Sequence, residues 1–268
     1  MRARAVALGS AVTGVARAVA GLSAGLVDLL LPDVCAGCGC ELSGVEGLCD
    51  ECSRKLLALV SMSYCPRCGA SVGPNIPISE EGCFACPNPV GRFARVVRLG
   101  PYAEPLRSIL RELKYRRREL MVRRLGKMLA HAVETRCGEE DFDLLISVPM
   151  HWRRRLGRGC DHARLLGRAV ARRLELPMGD ELVRTRHTPQ QARLPRSRRF
   201  QNIRGAFAAR AASTLQGARV LLVDDITTTG ATASEAARAL LKAGASKVTL
   251  AVVAKAEPPR AYSNYWKA

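Results

Sequence analysis

Two groups of residues in this 268-residue chain have the types and spacing to do chemistry. The first is a set of four CxxC pairs: Cys35 with Cys38, Cys49 with Cys52, Cys65 with Cys68 and Cys83 with Cys86. Two residues between thiolates let both sulfurs converge on one ion at tetrahedral geometry. Pairing in sequence order gives two four-cysteine zinc sites. Disulfides and an iron-sulfur cluster are the alternatives, but a cystine within CxxC is strained, and no clear secretory leader places the chain in an oxidising compartment. Closed thiolate coordination leaves no open position, so ions held there are structural and their binding energy folds the segment. Nine of the eleven cysteines fall between Cys35 and Cys86. Cys40 is the odd one in that cluster and reads as a bystander. Cys160 would be a nucleophile only with a base beside it, and burial is the other reading.

The second group follows an aliphatic run: Asp224-Asp225-Ile226-Thr227-Thr228-Thr229-Gly230-Ala231-Thr232. A strand, a hydroxyl-and-glycine loop and a helix start make an anion site, because unpaired backbone N–H groups and the helix dipole converge there. The loop is not a Walker A motif, since no Lys follows Gly230. Adjacent carboxylates beside a phosphate cradle suit a vicinal diol, or a Mg2+ bound with it, and a ribose 5-phosphate satisfies both halves. The plain alternative is a helix start capped by Thr and Asp.

These residues need a scaffold, and the pattern from about Arg92 onward alternates as one would require. Arg95–Leu99, Leu144–Val148, Val220–Val223 and Val248–Val253 read as strands, and Leu182–Arg184 as a further one. Pro105–Tyr115, Leu120–Val133, Ala163–Leu174 and Ala231–Ala243 read as helices. Such alternation predicts an α/β fold with a parallel sheet and helices on both faces.

The stretch Val220–Thr232 resembles the fingerprint of the type I phosphoribosyltransferases. Taken with the cysteine pairs, the chain from about residue 27 to 254 resembles the ComF family. The matching residues include Leu29-Leu30-Leu31-Pro32, Leu113-Lys114-Tyr115, Val148-Pro149-Met150-His151, Arg158-Gly159, Thr188-Pro189-Gln190-Gln191, Leu194, Asn202 and Ala206-Phe207. The resemblance implies a type I phosphoribosyltransferase fold preceded by a double zinc ribbon. It divides the chain into an N-terminal amphipathic helix or extension (1–31), the ribbon (32–90), the phosphoribosyltransferase-like domain (91–256) and a tail (257–268). It also implies phosphoribosyl pyrophosphate or a nucleotide-like ligand with Mg2+. Asp224 and Asp225 would take the ribose hydroxyls, and the loop Thr227, Thr228, Thr229, Gly230, Ala231 and Thr232 the 5-phosphate. Ser147–Arg153, with Pro149, Met150, His151 and Arg153, looks like the pyrophosphate loop. The family usually reads Arg-Gly-Phe-Asn-Gln where this chain has Arg158-Gly159-Cys160-Asp161-His162, a departure on the acceptor side. The family's link to competence implies single-stranded DNA and a helicase-like protein as partners, and a homo-oligomer is a further expectation. A non-catalytic DNA-binding accessory protein on the same fold is the alternative.

Composition agrees with a globular, basic protein. The formal charge is +18, and residues 91–215 hold 29 basic against 12 acidic side chains. Arg116–Arg118, Arg153–Arg155 and Arg193, Arg196, Arg198 and Arg199 are guanidinium clusters, either solvated faces or a polyanion surface. Aromatics at 4% argue against a base-stacking platform. His151 and His162 are candidates for proton transfer, with Asp161 adjacent. Met1, Arg2 and Arg4 before an Ala/Val/Leu run resemble a leader, but Arg17 interrupts it, and an amphipathic helix is the simpler reading. No apolar stretch reaches the ~20 residues of a membrane span, so a cytoplasmic protein is expected.

Overall fold

The aliphatic runs become strands in a computed structural model that describes residues 34–42, 47–73, 76–79, 82–84, 86, 91–113, 119–138, 141–150, 161–186, 188, 198–210 and 213–257. The readings placed on residues 1–31 and on the 257–268 tail, Glu257 excepted, lie outside the described residues. So do His151, Arg153, Cys160, Arg116–Arg118, Arg193 and Arg196.

In chain order the elements are α1 (Asp50–Val60), β1 (Arg95–Pro101), α2 (Leu106–Glu112), α3 (Glu119–Cys137), β2 (Leu144–Ser147), α4 (His162–Leu174), β3 (Met178–Gly179), β4 (Leu182–Arg184), α5 (Arg199–Ile203), β5 (Phe207–Ala209), β6 (Arg219–Thr227), α6 (Ala231–Lys242) and β7 (Lys247–Lys255). Five strands form a parallel sheet in the order β1-β7-β6-β2-β3. The strand expected at Leu182–Arg184 exists but is not part of it. It pairs antiparallel with β5, Val183 opposite Ala208, as a separate two-stranded sheet. The strand expected to end at Val223 runs on to Thr227, because β7 keeps pairing with it up to Lys255. The acid pair therefore sits on a strand rather than in a loop after one.

Period-two alternation sorts the core into two layers. Leu221, Val223, Ala251 and Val253 face one side with Leu106, Ile109, Leu125, Leu129, Leu166 and Val170 of α2, α3 and α4. Val220, Leu222, Leu250 and Val252 face the other, against Ala236, Ala237 and Leu240 of α6, with Ile203 and Phe207 beside them. Asp161 caps α4 by accepting the Arg164 N–H at 3.2 Å, and Arg172 and Arg173 in its last turn complement the helix dipole. α3 and α4 approach so closely that a Cβ at Gly126 would overlap the Ala169 methyl.

The first cysteine pairs are built into this core. Cys49 caps α1, a helix not anticipated from the CxxC spacing, and α1 lays Cys52, Leu56 and Leu59 beside Leu99, Leu106 and Ile109. The later pairs, around a small cluster of Cys65, Cys68, Val72 and Cys83, cover the open edge of β1. Pro66 O accepts the Val96 N–H at 2.6 Å, and the Tyr64 hydroxyl oxygen accepts that of Arg98 at 3.3 Å. An exposed edge would invite pairing with another chain, and this one is sealed internally. Beneath it Arg98, fully buried, pairs with Glu257 at 2.7 Å and donates to Ser71 Oγ at 2.7 Å. Among the described residues no helix is long and apolar enough to cross a membrane.

Candidate functional site

β2 leads through α4 to β3 on one side, and β6 leads through α6 to β7 on the other, with the two helices on opposite faces. The sheet's topology therefore reverses between β2 and β6, and in open α/β sheets the crevice beyond such a switch point is where ligands bind. A cleft of about 300 Å3 lies there. Its floor is the carboxyl end of β6, its walls are Val148, Pro149 and Met150 after β2, the start of α4 at Asp161, His162 and Ala163, and Arg184 of β4.

The structure thus brings together Asp224, Asp225, Thr227, Thr228, Thr229, Gly230, Ala231, Thr232, Pro149 and Met150, while His151 and Arg153 fall outside the described residues. Each acid holds the chain after it: Asp224 Oδ1 accepts the Asp225 N–H at 2.9 Å, and Asp225 Oδ1 accepts that of Ile226 at 2.7 Å. Packed protein around the half-buried Asp224 withdraws water, and the Asp225 and then Asp161 carboxylates add repulsion, so its carboxyl is held well above the ordinary Asp range. A bound cation or a pair of donor hydroxyls would relieve that cost.

Gly230 starts α6 with φ 79°, a left-handed conformation that a side chain would strain. No side chain caps the helix there. Ala231 N–H makes only a long 3.4 Å contact with Thr229 Oγ1, so the first turn of α6 presents backbone donors to the cleft. The two helix starts at the cleft differ: α4 is capped by a carboxylate, α6 is open to an anion.

Two residues at the site carried no legible signal. Arg184 reaches the cleft from the β4–β5 sheet, its guanidinium 5.3 Å from the Phe207 ring centroid and 2.6 Å from Thr188 Oγ1. Lys255, at the end of β7 and only 7% exposed, donates from Nζ to the Thr228 carbonyl and so holds the hydroxyl loop from below. Phe93 backs the same loop at Gly230, and Arg67, between Cys65 and Cys68, donates to the carbonyls of Phe93 and Ala94.

The cysteines form two metal-sized clusters. At ~2.3 Å zinc–sulfur bonds, a tetrahedron has edges of roughly 3.8 Å. Cys65–Cys86 and Cys68–Cys83 stand at 3.8 Å, and Cys83–Cys86 at 4.0 Å. In the first cluster Cys49 lies 3.7 Å from both Cys35 and Cys38. The donor sets fit structural zinc, held by thiolates alone. Cys40, read as a bystander, lies with the ligands: Cys35, Cys38, Cys40 and Cys49 all have sulfurs within 4.8 Å of one another. Burial works against Cys35 ionisation, but the Cys49, Cys38 and Gly37 N–H groups outweigh it and bring its thiol down to about 6. Cys40, which keeps its proton and donates a hydrogen bond to the Cys38 sulfur, is pushed up to about 12.

The DNA utilization protein YhgH of Escherichia coli O6:H1 is 34% identical over 227 residues, which are 82% of this chain and 96% of that protein. Competence protein F of Haemophilus influenzae is 30% identical over 216 residues, 79% of this chain and 91% of that one. The chain belongs to the ComF family. Within this ComF-family chain, residues 26–87 match the double zinc ribbon domain and residues 161–267, from the α4 cap onward, the phosphoribosyl transferase domain. A solved allosteric regulatory enzyme of purine biosynthesis is 24% identical with a TM-score of 0.34, over 49% of this chain and 25% of that one. For a glutamine phosphoribosylpyrophosphate amidotransferase from B. subtilis the TM-score is 0.32 and the shares are 48% and 25%.

Proposed function

We propose that this ComF-family protein binds phosphoribosyl pyrophosphate, or a ribose-phosphate ligand like it, in the β2–β6 cleft and acts in DNA uptake, as its relatives' names suggest. The observation that carries the reading is the meeting, in one switch-point cleft, of an acid pair on β6 with the uncapped start of α6. Asp224 and Asp225 take the ribose hydroxyls, and the N–H and hydroxyl groups of Thr228–Thr232 take the 5-phosphate. The acid pair would also hold Mg2+ with the ligand, which would supply charge neutralisation for pyrophosphate. In transfer, an acceptor nucleophile bonds to the anomeric carbon as the carbon–oxygen bond to pyrophosphate breaks, and the leaving oxygen keeps the electron pair. The chain's own contribution is to fix both ends of the ribose, so that the anomeric carbon is presented at the mouth of the cleft, with Arg184 the described cation on its wall. The volume is at the low end for small-molecule pockets, as suits one phosphorylated pentose.

Calorimetry of Mg2+ and phosphoribosyl pyrophosphate against the zinc-loaded chain tests this. Saturable binding that Asp224→Asn/Asp225→Asn abolishes supports the site; absence of binding to folded wild type sinks it. One observation favours a second reading, an accessory protein for single-stranded DNA: Arg164, Arg168 and Arg172 stand exposed one turn apart along α4. Oligonucleotide affinity that falls steeply with salt and survives the double acid substitution would support it.

A further inference from the structure

The first metal cluster contains one thiol too many. Four sulfurs, those of Cys35, Cys38, Cys40 and Cys49, are mutually within 4.8 Å. Cys52, the residue that CxxC spacing makes the fourth ligand, stands outside that mutual set, yet its sulfur lies against Gly37, between Cys35 and Cys38, where a Cβ would stand 2.6 Å from it. The second cluster has no such surplus among the described residues: Cys65, Cys68, Cys83 and Cys86 are its whole complement.

We infer that the first zinc centre is a ligand-exchanging one, in which Cys35, Cys38 and Cys49 hold the ion and either Cys52 or Cys40 supplies the fourth sulfur. Backbone geometry keeps both candidates in reach. Cys35 N–H donates to the Cys40 carbonyl at 2.8 Å and Gly39 N–H to the Cys35 carbonyl at 2.8 Å, so the turn from Cys35 to Cys40 is closed on itself and cannot carry Cys40 away. Cys52 is fixed from the other side by the first turn of α1, whose cap is Cys49 itself: the Cys52 N–H donates to the Cys49 sulfur at 3.5 Å. Zinc accepts four ligands in a closed structural site, so five thiols compete for four places. In the exchange the zinc–Cys52 bond breaks as the zinc–Cys40 bond forms, and the proton released by the entering thiol goes to the leaving thiolate, with no change of oxidation state.

The two fourth ligands differ in surroundings. Cys52 is 4% exposed, in the main core, whereas Cys40 is at the surface. With Cys52 bound the Cys38 sulfur is the exposed ligand; with Cys40 bound a second exposed sulfur joins it, and the ion is more open to a chelator. The second centre, lacking an alternative sulfur, should hold its ion without such an outlet.

The test uses the full zinc-loaded chain and three variants, Cys40→Ser, Cys52→Ser and Cys40→Ser/Cys52→Ser, with zinc counted colorimetrically after desalting. Both single variants are expected to keep two ions per chain, one for each cluster, and the double variant to keep one. A Cys52→Ser chain that is folded but holds a single ion overturns the inference, as does a double variant that holds two. Because Cys52 is buried and its replacement can unfold α1, iodoacetamide labelling of wild type provides a second readout. Cys40 in the loaded chain should react at least about twofold more slowly than after chelation, since it is withheld from alkylation while metal-bound and shares that place with Cys52; equal rates overturn the inference.

Discussion

Replacing Lys255 by Met should loosen the hydroxyl loop while leaving global stability nearly unchanged. Its ammonium lies under the loop, 7% exposed, and donates to the Thr228 carbonyl. A hydrogen bond from a charged donor is worth about 1.5–3 kcal/mol, so its loss costs the loop that much order. Against this, a buried ammonium carries a desolvation penalty of several kcal/mol, which Met, matching the length of the stem, does not incur. The two effects oppose one another in the folding free energy, and the net change should stay within about 1 kcal/mol. They do not oppose one another at the ligand. A loop that must be re-ordered on binding loses about 1.5–3 kcal/mol of affinity, a rise in Kd of roughly 10- to 150-fold. Calorimetry with Mg2+ and phosphoribosyl pyrophosphate measures it, and hydrogen exchange at the Thr229–Ala231 amides reads loop order without ligand. A Lys255→Met chain whose Kd stays within about threefold of wild type, with unaltered exchange, would refute the bracing argument.

Asp224 gives a pH test. Its carboxyl titrates above the ordinary Asp range, so between the unfolded and native values the native state binds more protons and stability falls as pH rises. Asp224→Asn should therefore raise Tm at neutral pH by a few degrees while abolishing ligand binding, and the gain should vanish below about pH 4; a lower Tm at pH 7 would contradict the sign. Glu257→Gln removes the carboxylate partner of Arg98, where the two side chains are 4% and 0% exposed, and should cost about 3–5 kcal/mol in urea unfolding. Replacing both with Met should recover most of that loss, and a single-variant cost under about 1 kcal/mol would count against the buried pair. Gly126→Ala gains about 1 kcal/mol of helix propensity but overpacks against Ala169 at about 1–3 kcal/mol, a net cost of up to about 2 kcal/mol; Ala169→Gly in the same chain should rescue it, and simple additivity would show that the two sites do not touch.

The long-period features were legible because they are local. β-branched and leucine runs gave the central strands, and Asp224–Thr232 gave the cleft, since residue types at a strand end and helix start announce their own chemistry. What depended on distant pairing was hidden. β6 continues through two aspartates because β7 lies alongside, and polar residues at that point read as a loop. β3 is two residues long and is a strand only because β2 offers it an edge. Arg184 and Lys255 look like ordinary charges in a basic chain, and only the β4–β5 sheet and the end of β7 bring the one to the cleft wall and the other beneath its loop. The position of Cys40 was hidden for the opposite reason: the regular CxxC spacing supplied a complete answer, and a tight turn places a fifth sulfur nearby that spacing does not count.

The sharing of one apolar core by α1 and the sheet bears on how the chain can be dissected. Cys52, Leu56 and Leu59 pack with Leu99, Leu106 and Ile109, so a cut near residue 90 would pass through contiguous hydrophobic packing rather than through a hinge. An isolated C-terminal fragment would present those side chains and the bare edge of β1 to solvent, and it should self-associate instead of behaving as a minimal domain. Ribbons exchanged between relatives would face the same constraint: a foreign ribbon must match the β1 and α2 surface it lands on, which makes the two halves one inheritable unit.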